Sequence, residues 1–345
     1  MSCKASLACA GAFAAAAFLA GIGPALPHVI VGPRFFPATL SFDDPGPNDE
    51  LALPNFTYLT NPDGSRQYDF GFDWQKTITP DFAIAFGDTF THLNNAFKPD
   101  GTIGTLNGWQ NFETSLKYVL IRNPEHEFIL SAGVGFEWGH TGNSSVGAEP
   151  FTHWEPQIWF GKGLGDLPTD LNFLRPFAVT GNLGVDFSTH PLDVIVGVDP
   201  DTGLSTVDID HDPTVFNWRL SLQYSLIYMN SNVLELQPEF LRHLIPLVEV
   251  SLSTPFANIG PSIPGVPLHT TVGTVNPGIL YASRYFQLGA EVLIPINSAS
   301  GKHVGARAIL DLFLDDIFPD SIGRPLFAPP DYVNPSTAFY EKSGW

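Results

Sequence analysis

The sequence is short of cysteine: it has two, Cys3 and Cys9, both inside an apolar stretch at the N-terminus. Disulfide frameworks and thiolate zinc sites are thereby excluded from the rest of the chain, which must hold together by core burial or by a closed hydrogen-bonded sheet. Basic residues are scarce as well. Sixteen Lys and Arg stand against 35 Asp and Glu, a formal net charge of −19, which excludes the phosphate-neutralising surface of a nucleic-acid-binding protein. Charged residues of both signs make up only 15%, little for a chain that must cover itself with solvated surface. Beyond residue 30 every apolar stretch is broken by polar residues, so none reads as a membrane-crossing helix. Nucleophile-elbow, zinc-protease, Walker A and dinucleotide motifs are all missing, and Gly161-Lys162-Gly163-Leu164-Gly165 reads as turn chemistry. An enzyme is therefore not expected.

The first residues are built like a secretory signal. Lys4 supplies a positive charge, Leu7 to Leu19 an apolar run, and Gly23-Pro24-Ala25 a small-residue exit. The expected organisation is a signal peptide at 1–25, an N-terminal segment at 26–48, a β-domain at 49–315 and a tail at 316–345. Both flanking segments are Pro-rich and non-alternating, and each is open to folding into a lumen as a plug or staying in the periplasm.

What the chain does have is aromatics, 28 of them Phe, set in a period-two pattern. Tyr68, Phe70, Phe72 and Trp74 alternate with Asp69, Gly71, Asp73 and Gln75. Phe216, Trp218, Leu220, Leu222, Tyr224 and Leu226 alternate with Asn217, Arg219, Ser221, Gln223 and Ser225. Similar runs occupy 82–90, 111–120, 128–138, 153–160, 177–187, 286–297 and 303–315, with weaker ones at 49–59, 244–254 and 269–281. Twelve strands result. The links at 76–81, 122–127 and 282–285 are short, while those at 94–107, 140–150, 188–214 and 255–268 are mostly longer, an asymmetry typical of outer-membrane barrels. Two links depart from it: 229–243 is long for its side and 298–302 short.

The fold expected is an all-β, transmembrane, antiparallel up-and-down barrel of about 12 strands in a bacterial outer membrane. Twelve strands enclose too wide a space for side chains to fill, so the apolar face should meet lipid and the polar face a lumen. Trp74, Phe82, Tyr118, Phe128, Trp138, Trp154, Phe160, Trp218, Tyr224 and Phe286 are the expected interfacial aromatics. Asp69, Asp73, Glu113, Lys117, Glu137, His153, Glu155, Asp186, Arg219, Gln223, Glu249, Glu291, Arg307 and Asp311 are the expected lumen lining. Their excess of carboxylates suits a cation-preferring passage or a stiffening network of ion pairs. Asp199, Asp201, Asp208, Asp210 and Asp212 lie in the most acidic connection, and Asp199-Pro200-Asp201 resembles the opening of a calcium loop; the remaining ligands of such a loop are missing. No other cofactor is expected.

Phe35-Phe36-Pro37-Ala38-Thr39-Leu40, Asp43-Asp44-Pro45-Gly46, Asp49-Glu50-Leu51, Leu174-Arg175-Pro176-Phe177-Ala178 and Leu312 to Pro319 resemble a set of proteobacterial outer-membrane proteins. That set is similar to the transporter-like barrel group linked to meta-pathway phenol degradation. The resemblance implies passive passage of small solutes, including apolar or aromatic ones, and carries over no binding residue. Two other readings fit the alternation: a secreted β-sandwich that binds a ligand or carbohydrate, and a structural or adhesion barrel with a blocked lumen.

Overall fold

The computed structural model describes residues 29–61, 63–98, 101–198, 205–260, 269–329 and 332, with backbone alone at 193–198, 205–208 and 210. The expected signal peptide lies outside the described residues. Twelve strand positions form one closed antiparallel barrel. They are β1 (Glu50–Thr60), β2 (Arg66–Thr79), β3 (Phe82–Phe97), β4 (Ile103–Trp109 continued by Glu113–Asn123), β5 (Phe128–Glu137) and β6 (His153–Gly163). There follow β7 (Phe177–Ser188), β8 (Thr214–Tyr224), β9 (Leu244–Ala257), β10 (Val272–Ala282), β11 (Phe286–Pro295) and β12 (Gly305–Phe313). The ring closes through β12 on β1, with Arg307 opposite Thr57 and Leu312 opposite Leu51. Closure leaves no unpaired edge, which keeps so long a sheet from pairing with other chains. Among the described residues no helix is long and apolar enough to cross a membrane, which says nothing of crossing by strands.

Three connections differ from the sequence reading. The 94–107 link is mostly strand, because β3 and the first part of β4 run on past a one-residue bulge at Gln110–Phe112 and meet at Phe97 and Ile103. The 188–214 link holds a hairpin, Leu192–Val198 against Ser205–His211. The 229–243 link carries helix α1 (Leu226–Asn232) and a 3-10 turn at Glu239–His243. Ser225 caps α1, its hydroxyl accepting from the Tyr228 amide at 3.1 Å, so β8 stops at Tyr224 and Leu226 leaves the strand register. Leu314, read as a strand residue, instead begins a short helix, Leu314–Ile317.

The two faces separate by chemistry. Outward positions at mid-height are apolar and exposed, among them Phe70, Ile158, Leu222, Val248, Ile279, Leu288 and Val292. Trp74, Trp138 and Trp154 are exposed on the same face, and Phe82, Tyr118, Phe128, Phe160, Trp218, Tyr224 and Phe286 are half-exposed on it. Cross-strand ring pairs reinforce it: Trp154 stacks on Phe187 at 4.8 Å and Phe177 meets Tyr224 edge-on at 4.6 Å.

Inside, the end bearing both chain termini is filled by residues 29–49. Ile30–Val31 and Arg34–Phe35 form a tight hairpin. Its turn needs Gly32, whose φ is +64° and where a Cβ would stand 2.3 Å from the Pro124 carbonyl oxygen. Val29, Val31 and Phe36 pack on Val119, Ile129 and Ala178, and Ile30, Phe35 and Leu40 pack on Ile245, Leu247, Leu280, Ile309 and Phe313. Part of the lower lumen wall is thus apolar, a correction to the polar interior expected from alternation. Six plug side chains, Val29, Ile30, Val31, Phe35, Phe36 and Leu40, are at most 8% exposed. Their burial is worth on the order of 10 kcal/mol, which seats the segment in the lumen at rest. After β12, the Leu326 and Phe327 amides donate to the Thr77 and Ile78 carbonyls at the end of β2, at 3.1 and 2.9 Å, with both side chains exposed.

Candidate functional site

Above the plug the lumen opens into two adjoining cavities of about 380 and 230 Å³. Both exist because period-two strands turn every second, polar side chain inward while glycine and serine keep the wall thin. The plug tip, Ser41-Phe42-Asp43, forms the floor of the larger one.

The larger cavity is acidic. Asp43, Asp73, Glu113, Glu137, Glu155 and Asp186 line it against one guanidinium, Arg219, and one imidazole, His153. Most of these carboxylates are engaged. Asn217 donates to Glu155 at 2.9 Å, and Arg219, which donates to Asn182 at 2.6 Å, lies 3.9 Å from Glu155. Asn111 donates to Glu137 at 2.9 Å. His153 bridges two acids, Nδ1 at 3.2 Å from Asp186 and Nε2 at 3.0 Å from Asp212. That contact ties the base of the outer hairpin to the mouth of the barrel. Asp73 and Glu113 form no ion pair among the described residues, stay exposed to the cavity, and line both cavities. Asp69 lines the smaller cavity and accepts from Thr91 at 2.7 Å and Gln67 at 2.8 Å.

The remaining residues expected to line the lumen face inward but do not border open space. Lys117, Gln223, Glu249, Glu291 and Asp311 are at most 4% exposed, buried around or beneath the plug. Lys117 and Glu249 among them satisfy plug backbone groups that have no ladder of their own. Lys117 donates to the Asp44 carbonyl at 2.9 Å and pairs with the Asp43 carboxylate. Gln287 donates to the Ala38 carbonyl at 2.9 Å, and Arg307 to the Leu40 carbonyl at 3.0 Å. Burial, with Asp43 beside it, pushes the Asp44 carboxyl well above the usual carboxylate range, while Lys117 pulls it down. At the foot of the plug, Arg34 is fully buried: it donates to Glu127 at 3.0 Å and to the Pro176 and Arg175 carbonyls at 2.9 and 2.6 Å, and it stacks 3.9 Å over Tyr228.

Sequence reasoning missed two contributions. Phe42 and Asp43 sit in the floor, although Asp43-Asp44-Pro45-Gly46 reads only as a turn. Trp159 faces inward, 4% exposed, with the Lys117 ammonium 5.2 Å from its ring. Its place in the register of His153, Glu155 and Gln157 was the available signal. Of the acidic connection, Asp199 and Asp201 lie outside the described residues, Asp208 and Asp210 fall on a strand described by backbone alone, and Asp212 meets His153.

No family model matches the chain, and no curated protein does. Among solved structures it is similar to the NanC porin, at 8% identity and TM-score 0.40, covering 76% of this chain and 98% of that one. It is similar to the beta domain of the Bordetella autotransporter BrkA, at 12% identity and TM-score 0.41, covering 78% and 99%. A mutant of the TodX monoaromatic hydrocarbon channel follows at 9% identity and TM-score 0.34, covering 80% and 91%. At these identities neither site residues nor activities carry over from those proteins.

Proposed function

We propose that the chain is an outer-membrane channel for small solutes that prefers cations, held closed at rest by its own N-terminal segment. The reading rests first on an inside-out distribution: exposed apolar residues around the outside of a closed barrel, carboxylates and water-accessible space within. The observation that carries the cation preference is the position of Asp73 and Glu113, two carboxylates without a basic partner where the cavities meet. A low-dielectric wall around unbalanced negative charge concentrates cations and repels anions. The phenol-degradation resemblance implied apolar or aromatic solutes; the vestibule's chemistry favours a positively charged one.

Substituting both Asp73→Asn and Glu113→Gln should lower the cation-over-anion permeability ratio roughly thirtyfold, since each of the two charges at close range in water is worth roughly 1 kcal/mol. Reversal potentials in a planar bilayer under a salt gradient measure it. An unchanged ratio, or anion preference in the unmodified protein, would remove these carboxylates from the pathway. A second reading, a non-conducting structural barrel, draws on the six buried plug side chains. Absence of any conductance would favour it.

A further inference from the structure

The plug tip touches the wall at two acidic groups, and they differ in how their oxygens are satisfied. Asp43, Asp44 and Glu50 place carboxylate oxygens within 4.8 Å of one another. That group is supplied with donors: the Gly46 amide, the side chains of Asn48 and Gln75, and the Lys117 ammonium. It needs no further cation.

The second group is Glu249 on β9, Asn276 on β10 and Glu291 on β11, around Ser41 of the tip. All three wall residues are at most 4% exposed. Asn276 is the cross-strand partner of Glu249, and its amide nitrogen donates to Ser41 Oγ at 2.9 Å and to Glu291 Oε1 at 3.4 Å. Ser41 donates through its amide to Glu249 Oε2 at 3.1 Å and through its hydroxyl to Glu291 Oε1 at 3.3 Å. Arg307 reaches Glu291 Oε1 at 3.0 Å. One oxygen of each side chain remains: Glu249 Oε1, Glu291 Oε2 and Asn276 Oδ1 are buried and accept from no donor among the described residues. A buried acceptor left without a donor loses its hydration uncompensated, and a charged one loses more.

The charge balance points the same way. Glu249 and Glu291 bring two negative charges into this buried contact, against one positive charge from Arg307. A proton shared between the glutamates would satisfy their two oxygens and still strand Asn276 Oδ1. A divalent cation answers all three oxygens and the charge together. The donors are oxygens only, which suits a hard cation such as calcium. Magnesium demands a nearly ideal octahedron and keeps several waters.

We infer that Glu249, Glu291 and Asn276 form a buried calcium site at the contact between the lumen wall and Ser41 of the plug. The ion clamps the tip from the side opposite Lys117. This inference stands apart from the channel reading, because it concerns binding and stability rather than conduction.

The test uses the full chain folded in detergent and stripped with chelator. Calcium binding is counted by equilibrium dialysis, and thermal midpoints are followed by the shift between folded and unfolded bands on gels. The wild type should bind calcium with a rise in midpoint. Glu249→Gln and Glu291→Gln should each bind one equivalent fewer, with folding confirmed by the same band shift, and Asp43→Asn should bind as the wild type does. Because an isosteric amide relieves buried charge, the Gln variants are expected to fold. A wild type that binds no calcium overturns the inference whatever the variants do. So does full stoichiometry in both Gln variants, which would place the binding elsewhere, for instance in the acidic outer hairpin.

Discussion

Arg34→Ala should lower the stability of the folded barrel by about 3–5 kcal/mol, the usual consequence of removing one partner from a buried ion pair. Arg34 is 0% exposed and Glu127 2%. Three separate connections meet on this guanidinium: the turn before β5 through Glu127, the β6–β7 link through the Arg175 and Pro176 carbonyls, and α1 through Tyr228. Alanine would leave the carboxylate buried and two carbonyls without their donor. Arg34→Lys should recover only part of the loss, since an ammonium cannot reproduce the planar fork that spans these acceptors. Replacing both members, Arg34→Met with Glu127→Met, should cost less than Arg34→Ala alone, because no charge is then stranded. Denaturant midpoints in micelles, followed by tryptophan fluorescence, measure all three. A loss below ~1 kcal/mol for Arg34→Ala would mean that the hairpin at 30–35 is not seated where the account puts it.

Ile158→Arg should cost about 2–4 kcal/mol in a lipid bilayer, the range for a basic residue on the lipid face at mid-depth. Ile158 lies at the centre of β6, points outward and is 39% exposed. Ser115→Arg, on the inner face beside Glu113 and Glu137, should change stability by no more than ~0.5 kcal/mol, as at a solvated position. Equal costs at the two positions would contradict the assignment of faces.

How much of this could be read from the residues follows from where two faces differ chemically. β2, β5 and β8 announce themselves because an apolar outer face and a polar inner face enforce alternation, and their extents follow the sequence reading closely. β9 and β10 are faint for a physical reason. Ile245, Leu247, Leu280 and Ala282 point inward but pack on the plug, so both faces are apolar and the period-two contrast fades. The plug itself carries no periodic signal, because it is neither helix nor ladder: its carbonyls are satisfied by Gln287, Arg307, Lys117 and Ser131 from strands far away in sequence. The same blindness made Lys117, Glu249 and Asp311 look like lining of an open passage. Polarity and register place them inward, and only the path of residues 29–49 shows that they are covered.

Conduction requires residues 29–49 to shift, because they stand between the two cavities and the end of the barrel where β1 begins. A Cβ built on Gly161 falls 3.1 Å from Pro45 Cγ, close enough for a disulfide between Gly161→Cys and Pro45→Cys. The decisive measurement is conductance of this double variant in a planar bilayer, oxidised and then reduced in the same membrane. The account predicts silence when oxidised and cation-selective openings once reductant is added. Identical conductance in the two states, or none in either, would contradict it.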